Sequence, residues 1–285
     1  MTLFRETISR REKGRKAVSG GFSLIELLIV AAVLLVVLGG VVNYITIALQ
    51  RSKAELTKVD LTQDGRSFVD EFERDIHQAG YPNCRMFNTG SNCSAHFNDH
   101  TMAVGLVSVS NTQIVFEGDV DGDGNVDSVW YRLVDSAGNF PPTGTCPCTI
   151  QRGQITKVDG APLSQIPLFS QALQEVVNSG VPAAGAVYGG GLPIAASTSY
   201  YTVPTTFTDF PVFSAYDQSG NVISLPRVIT TVADQPVLSC NSATAPCIKS
   251  VRLTINLLGN GATGYDPKTG VRPVVSLVGN GLIDN

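Results

Sequence analysis

Hydrophobic positions along this chain fall into three successive regimes. Between Leu27 and Leu49 no charged residue occurs, and the run is long enough at a rise of about 1.5 Å per helical residue to cross most of a hydrocarbon core of roughly 30 Å. Next, Leu49, Leu56, Val59, Phe68, Val69, Phe72 and Ile76 recur at helical steps, separated by Lys53, Lys58, Asp64, Arg66, Glu71, Arg74 and Asp75. That spacing predicts an amphipathic helix with one face turned to a sheet. Gly80-Tyr81-Pro82 supplies the stop, with glycine suited to the position just past the helix and proline beyond it. Gly39-Gly40 weakens the apolar part by about 1 kcal/mol per glycine.

After residue 82 the period changes to alternation. Strands are predicted at Thr112 to Glu117, Ser128 to Val134, Gln154 to Val158, Val212 to Tyr216, Val222 to Ser224 and Arg227 to Val232. In a further strand Val251, Leu253, Ile255 and Leu257 alternate with Arg252, Thr254 and Asn256, as a half-buried strand requires. The expected fold class is α+β: one long N-terminal helix packed on an antiparallel sheet. The expected organisation is a leader over 1–21, a helix over 22–80 that spans a membrane at about 24–49, and a β-rich head over 81–285.

Charge sharpens the N-terminal reading. Arg5, Arg10, Arg11, Lys13, Arg15 and Lys16 against Glu6 and Glu12 give the leader a net charge of +4, which holds it on the cytoplasmic side. Glu26 then stands at the front of the apolar run, where a carboxylate costs at least about 2.5 kcal/mol unless paired. An ordinary secretory signal is cut after its apolar segment; here the small residue, Gly21, precedes it.

At Gly21-Phe22-Ser23-Leu24-Ile25-Glu26 the chain resembles the class III signal of type IV prepilins and pseudopilins. The resemblance implies cleavage between Gly21 and Phe22 by a prepilin peptidase, N-methylation of Phe22, and pairing of Glu26 with the N-terminal amine of a neighbouring subunit. Asn43 stands where many major pilins have proline, so their kink is not implied. Gln63-Asp64-Gly65-Arg66-Ser67-Phe68 and Arg74-Asp75-Ile76-His77-Gln78-Ala79-Gly80-Tyr81 are similar to a narrower group, the PilW-type minor pilins. The implied function is structural: a minor pilin of the type IV pilus or its tip complex, with a pilin-like helix and head. Implied partners are major and minor pilins, the peptidase and methyltransferase, and the inner-membrane assembly platform. The implied location is the inner membrane, N-terminus inward and head periplasmic, then the cell-surface pilus. A minor pseudopilin of a type II secretion system shares the N-terminal features, and a tip adhesin or DNA-uptake subunit is a further alternative.

Without its leader the chain moves from a formal charge of −4 to −8, which disfavours nonspecific attraction to nucleic acid. Cys84, Cys93, Cys146, Cys148, Cys240 and Cys247 suit an oxidising compartment. Cys84 with Cys93 and Cys240 with Cys247 would close short loops, while Cys146-Pro147-Cys148 reads as too tight for a relaxed bridge and is expected to pair elsewhere. Zinc held by Cys84, Cys93, His96 and His100 is the competing use, with the first gap too long for the usual paired-cysteine knuckle.

One segment carries chemistry in its spacing. Asp119, Asp121, Asp123, Asn125 and Asp127, with Gly124 at the turn, match a calcium-loop pattern of hard oxygen ligands. Trp130 replaces the bidentate glutamate of the twelfth position, leaving Glu117 or Asp135 as candidates for the missing ligand. A solvated acidic turn between two strands is the alternative. Val181 to Thr206, rich in Gly, Ala, Pro, Ser and Thr, reads as an extended connection or flap. His77, His96 and His100 belong to no nucleophile or zinc-protease motif, and Gly189 to Gly191 lack the lysine and helix of a phosphate loop. No enzyme activity and no organic cofactor are expected.

Overall fold

The computed structural model describes residues 21, 23–83, 98–142, 146–178, 211–228, 247–259 and 272–283. Its contacts divide the chain into two compact units, Met1–Ala48 and Leu49–Asn285. Helix α1, Leu24–His77, runs without interruption through Gly39 and Gly40. In the first unit every large hydrophobic side chain from Leu24 to Ile45 is exposed, and this stretch is long and apolar enough to cross a membrane. Such an exposed apolar surface is strongly unfavourable in water.

In the second unit the helix meets a sheet. Strands β1 (Leu106–Val109), β2 (Gln113–Gly118), β3 (Asp127–Val134), β4 (Cys148–Thr156) and β5 (Phe169–Val176) form an antiparallel run in chain order. They are followed by β6 (Phe213–Tyr216), β7 (Val222–Ile223), β8 (Arg227–Val228), β9 (Ser250–Leu258) and β10 (Val274–Leu282). The order is β7-β6-β9-β5-β4-β3-β2-β1-β8. Along one edge β9 pairs with β10 from Ser250 to Leu258; along the other it meets β6 and then the end of β5. The class is therefore α+β, with one long apolar N-terminal helix and a large antiparallel sheet.

Phe68, Val69, Phe72 and Ile76 of the predicted stripe are buried, whereas Leu49, Leu56 and Val59 are exposed. The sheet covers the last turns of α1 and not the earlier ones. Phe72 lies edge-on to Tyr131, centroids 5.5 Å apart, and 5.9 Å from Phe213. Close approach of β10 depends on missing side chains: a Cβ at Gly65 would collide with Leu277, and one at Gly281 with Ile76. Asn280 N also donates to Glu73 Oε1 at 2.9 Å.

Strands β1, β5 and β10 have no counterpart among the predicted ones, and β4 begins at Cys148, not Gln154. Glycines in Leu277-Val278-Gly279-Asn280-Gly281 conceal β10, because they are chosen to fit the helix and not to alternate. One cysteine expectation is corrected. Cys146 and Cys148 are bonded to each other, their Cα atoms 4.4 Å apart, at the short end of the range a disulfide spans. Cys247 is also disulfide-bonded. Cys84, Cys93 and Cys240 lie outside the described residues, as do Phe22 and the Val181 to Thr206 segment.

Candidate functional site

The acidic turn joins β2 to β3 and is rooted on the end of α1. Gly80, in the left-handed region at φ 87°, turns the chain off the helix so that its N–H donates to Glu117 O at 2.8 Å. Asp119 N donates in turn to Tyr81 O at 2.8 Å. Gly118 lies so near the helix end that a Cβ there would strike the Gln78 carbonyl. The turn is thus held near the negative end of the helix dipole, a setting that favours a cation.

Within the turn Asp119 accepts from Gly122 N at 2.8 Å and Gly124 N at 3.1 Å. Asp123 accepts from Asn125 N at 2.7 Å and from Asn125 Nδ2 at 2.9 Å, which holds its carboxyl below the usual range. Carboxylate oxygens of Asp119, Asp121 and Asp123 lie within 4.8 Å of one another. Asp127 begins β3 and is buried. Burial, and then the Asp121 charge, push its carboxyl up to about 6. The sequence reading missed Gln154 of β4, whose Nε2 donates to Asp127 Oδ2 at 2.9 Å and lies 3.4 Å from Asp121 Oδ2. Opposite Val129 in the ladder, Gln154 reaches the turn only through strand register.

Both candidates for the missing ligand are engaged elsewhere. Glu117 is buried with Lys157, Nζ to Oε2 2.7 Å, and accepts from Val104 N at 3.0 Å. Asp135 closes its own turn by accepting from Ala137 N and Asn139 N, each at 2.9 Å. Trp130 lies in β3, its Nε1 donating to Ser128 Oγ at 2.9 Å, and supplies no carboxylate.

A repeated signal also went unread. Asp121-Gly-Asp-Gly-Asn125, Asp135-Ser-Ala-Gly-Asn139 and Asp217-Gln-Ser-Gly-Asn221 share one pattern, with the glycine at positive φ in each. At 135–139 and 217–221 the aspartate is satisfied by the turn's own amides. Only at 119–127 do further carboxylates converge.

Of the zinc set, His100 alone is described; Cys84, Cys93 and His96 lie outside the described residues. His100 Nδ1 is 2.7 Å from Asp159 Oδ1.

A second polar cluster joins helix to sheet. Tyr131 Oη donates to Asp75 Oδ2 at 2.7 Å, and Arg152 reaches the same oxygen with Nη2 at 2.8 Å and Nε at 2.9 Å. Asp75 is 1% exposed, not one of the surface charges that its place between apolar positions suggests. No family model, curated protein or solved structure matches this chain.

Proposed function

We propose that this protein is a minor pilin of a type IV pilus, cut between Gly21 and Phe22 and N-methylated on Phe22. The observation that carries the reading is the N-terminal arrangement: a basic leader, Gly21, an acid in the first turn of α1, and an apolar helical surface exposed throughout. An exposed surface of this kind moves from lipid to neighbouring helices at little cost, because hydrocarbon and leucine are similar environments. Glu26 meets the Phe22 amine of a neighbour and sets its register. The α+β class, with the late turns of α1 on an antiparallel sheet, agrees with a pilin-like head. Partners on this reading are major and minor pilins, the processing enzyme and an inner-membrane platform, with the head first periplasmic and then on the cell surface.

Calcium at the acidic turn belongs to the same proposal. Asp119, Asp121 and Asp123 fit a hard cation by their converging oxygens, and Gln154 can present its Oε1 by rotating its amide. The ion would relieve carboxylate repulsion and stiffen the turn at the helix end.

Intact-mass and N-terminal peptide analysis of the protein from membrane and sheared surface fractions tests the reading. A chain starting at N-methylated Phe22 in both fractions is expected; a chain starting at Met1 and confined to the membrane would overturn it.

A further inference from the structure

Arg132 of β3 turns to the face of the sheet opposite α1. Its chain neighbour Tyr131 meets the helix at Asp75, and successive side chains of a strand point to opposite faces. Directly across the ladder stand Gln113 of β2 and Gln151 of β4, so the three side chains form one half-buried polar row on that face.

Two aromatic rings and one amide hold this guanidinium. Its carbon lies 3.4 Å from the centre of the Phe169 ring and 5.6 Å from that of Phe140. Arg132 Nε donates to Gln151 Oε1 at 3.0 Å. That bond occupies the inner edge of the group and leaves Nη1 and Nη2 as a parallel pair of donors. Among the described residues neither of these nitrogens has an acceptor, and no carboxylate pairs with Arg132. Arg152, on the helix side, shows the contrast by sharing Asp75 and Glu71. Asp135, three residues beyond Arg132, spends its oxygens on the amides of its own turn. Desolvation against the rings holds the Arg132 guanidinium below its ordinary range, as befits a cation short of an anion.

We infer that Arg132, Gln113 and Gln151 form a binding site for a sugar acid, whose carboxylate receives the two terminal nitrogens of Arg132. One guanidinium offsets one charge, and its neighbours in the row are neutral amides, so a carboxylate fits better than a phosphate dianion. Among the described residues the Gln113 amide and Gln151 Nε2 have no hydrogen-bond partner. Amides both donate and accept, and so do the hydroxyls of a sugar, which an acidic amino-acid side chain lacks. Phe140, 36% exposed beside the fork, offers an apolar ring to the C–H face of the sugar. The inference goes beyond the pilus reading and stands without it, since it rests on one row of β2, β3 and β4 and the rings around it.

The test uses the full chain in a detergent without a sugar headgroup, with EDTA present so that no metal ion bridges a sugar acid to the acidic turn. Methyl glucuronide, methyl glucoside and N-acetylglutamate methylamide are titrated and followed by saturation-transfer NMR of the ligand. Saturable binding of the glucuronide is expected. The glucoside, which lacks the carboxylate, and the glutamate, which lacks the hydroxylated ring, should each bind about tenfold more weakly. Arg132→Lys keeps the charge without the fork and should lose about tenfold in affinity, and Gln113→Ala about threefold. The ligands are compared on the unaltered protein, so a folding defect in either variant does not blunt the result. No saturable binding of the glucuronide, equal binding of the glucoside, or unchanged affinity in Arg132→Lys would overturn the proposal. Equal binding of the glutamate would show a site for any carboxylate and overturn the assignment to a sugar acid.

Discussion

Tyr131 on β3 donates its phenol hydrogen to Asp75 on the last turns of α1, 2.7 Å away across 56 residues of sequence. The contact fixes helix to sheet beside the apolar packing of Phe68 and Phe72, and is joined by polar contacts from Glu71 to Arg152 and from Asn280 to Glu73. Burial, and then the Asp75 charge, hold the phenol well above its usual range, so it remains a donor at any pH the protein meets. Arg152 completes the cluster from β4.

Removing the shared acceptor should be the costliest single change in this cluster. Asp75→Ala leaves the buried Tyr131 hydroxyl without its acceptor and the largely buried Arg152 guanidinium with Glu71 as its remaining carboxylate, and should lower unfolding free energy by about 3 kcal/mol. Tyr131→Phe, which removes one donor and keeps the ring against Phe68 and Phe72, should cost about 1 kcal/mol. Urea unfolding of the two variants in the same detergent measures the difference; equal losses would contradict the assignment of Asp75 as the hub.

Gly118 ties the acidic turn to the helix end by having no side chain. Gly118→Ala drives a methyl into the Gln78 carbonyl, a backbone atom that cannot swing aside, and should destabilise by about 1–3 kcal/mol. Gly122→Ala meets open space but a φ of 75°, so its cost comes from backbone strain alone. Thermal melts should therefore show loosened helix and sheet signals together for the first variant and a milder shift for the second.

Calcium titration by calorimetry should give saturable heat with the native chain and none with Asp121→Ala combined with Asp123→Ala. Gln154→Ala should weaken the heat without abolishing it, since Gln154 reaches Asp121 and Asp127 from β4. Heats of the same size in native and doubly substituted proteins would remove the ion from this turn.

Glu26 lies in the first turn of α1, in the unit whose apolar residues are exposed. Glu26→Ala makes that segment more apolar and should leave membrane insertion intact, while pilus number on the cell surface falls severalfold. Normal piliation in the variant would remove the pairing of Glu26 with a neighbouring amine.

A pH dependence follows from Asp217. Hydrogen bonds from the Asn221 side chain and then its backbone, joined by Ser219 N, hold this carboxyl below its ordinary 3.8. Because the folded value is the lower one, the turn's contribution is present above pH 3.8 and fades as pH falls through the folded value. The gap in melting temperature between the native chain and Asp217→Ala should be full at pH 7 and small near pH 2; a constant gap would contradict it.

Local periodicity determined the elements whose surfaces are uniform. Glu26 and the run behind it are legible because a membrane-length helix needs only composition, the start of β9 because one buried face imposes alternation, and β2 and β3 because strands buried on both faces are rich in β-branched and aromatic residues. The converging aspartates were legible too, since a turn of this length brings its own residues together. What only the tertiary structure decided depends on partners distant in the chain. Asp75 reads as a surface charge until Tyr131 and Arg152 arrive from two strands; Gln154 reaches the turn through ladder register; β10 hides behind glycines that exist to admit Ile76. Cys146 and Cys148 pair because local backbone geometry brings their Cα atoms to 4.4 Å, a closeness that spacing alone does not reveal. Sequence fixes what a residue can do locally, and the sheet decides which residue it meets, because ladder register and helix packing are settled by the whole core at once.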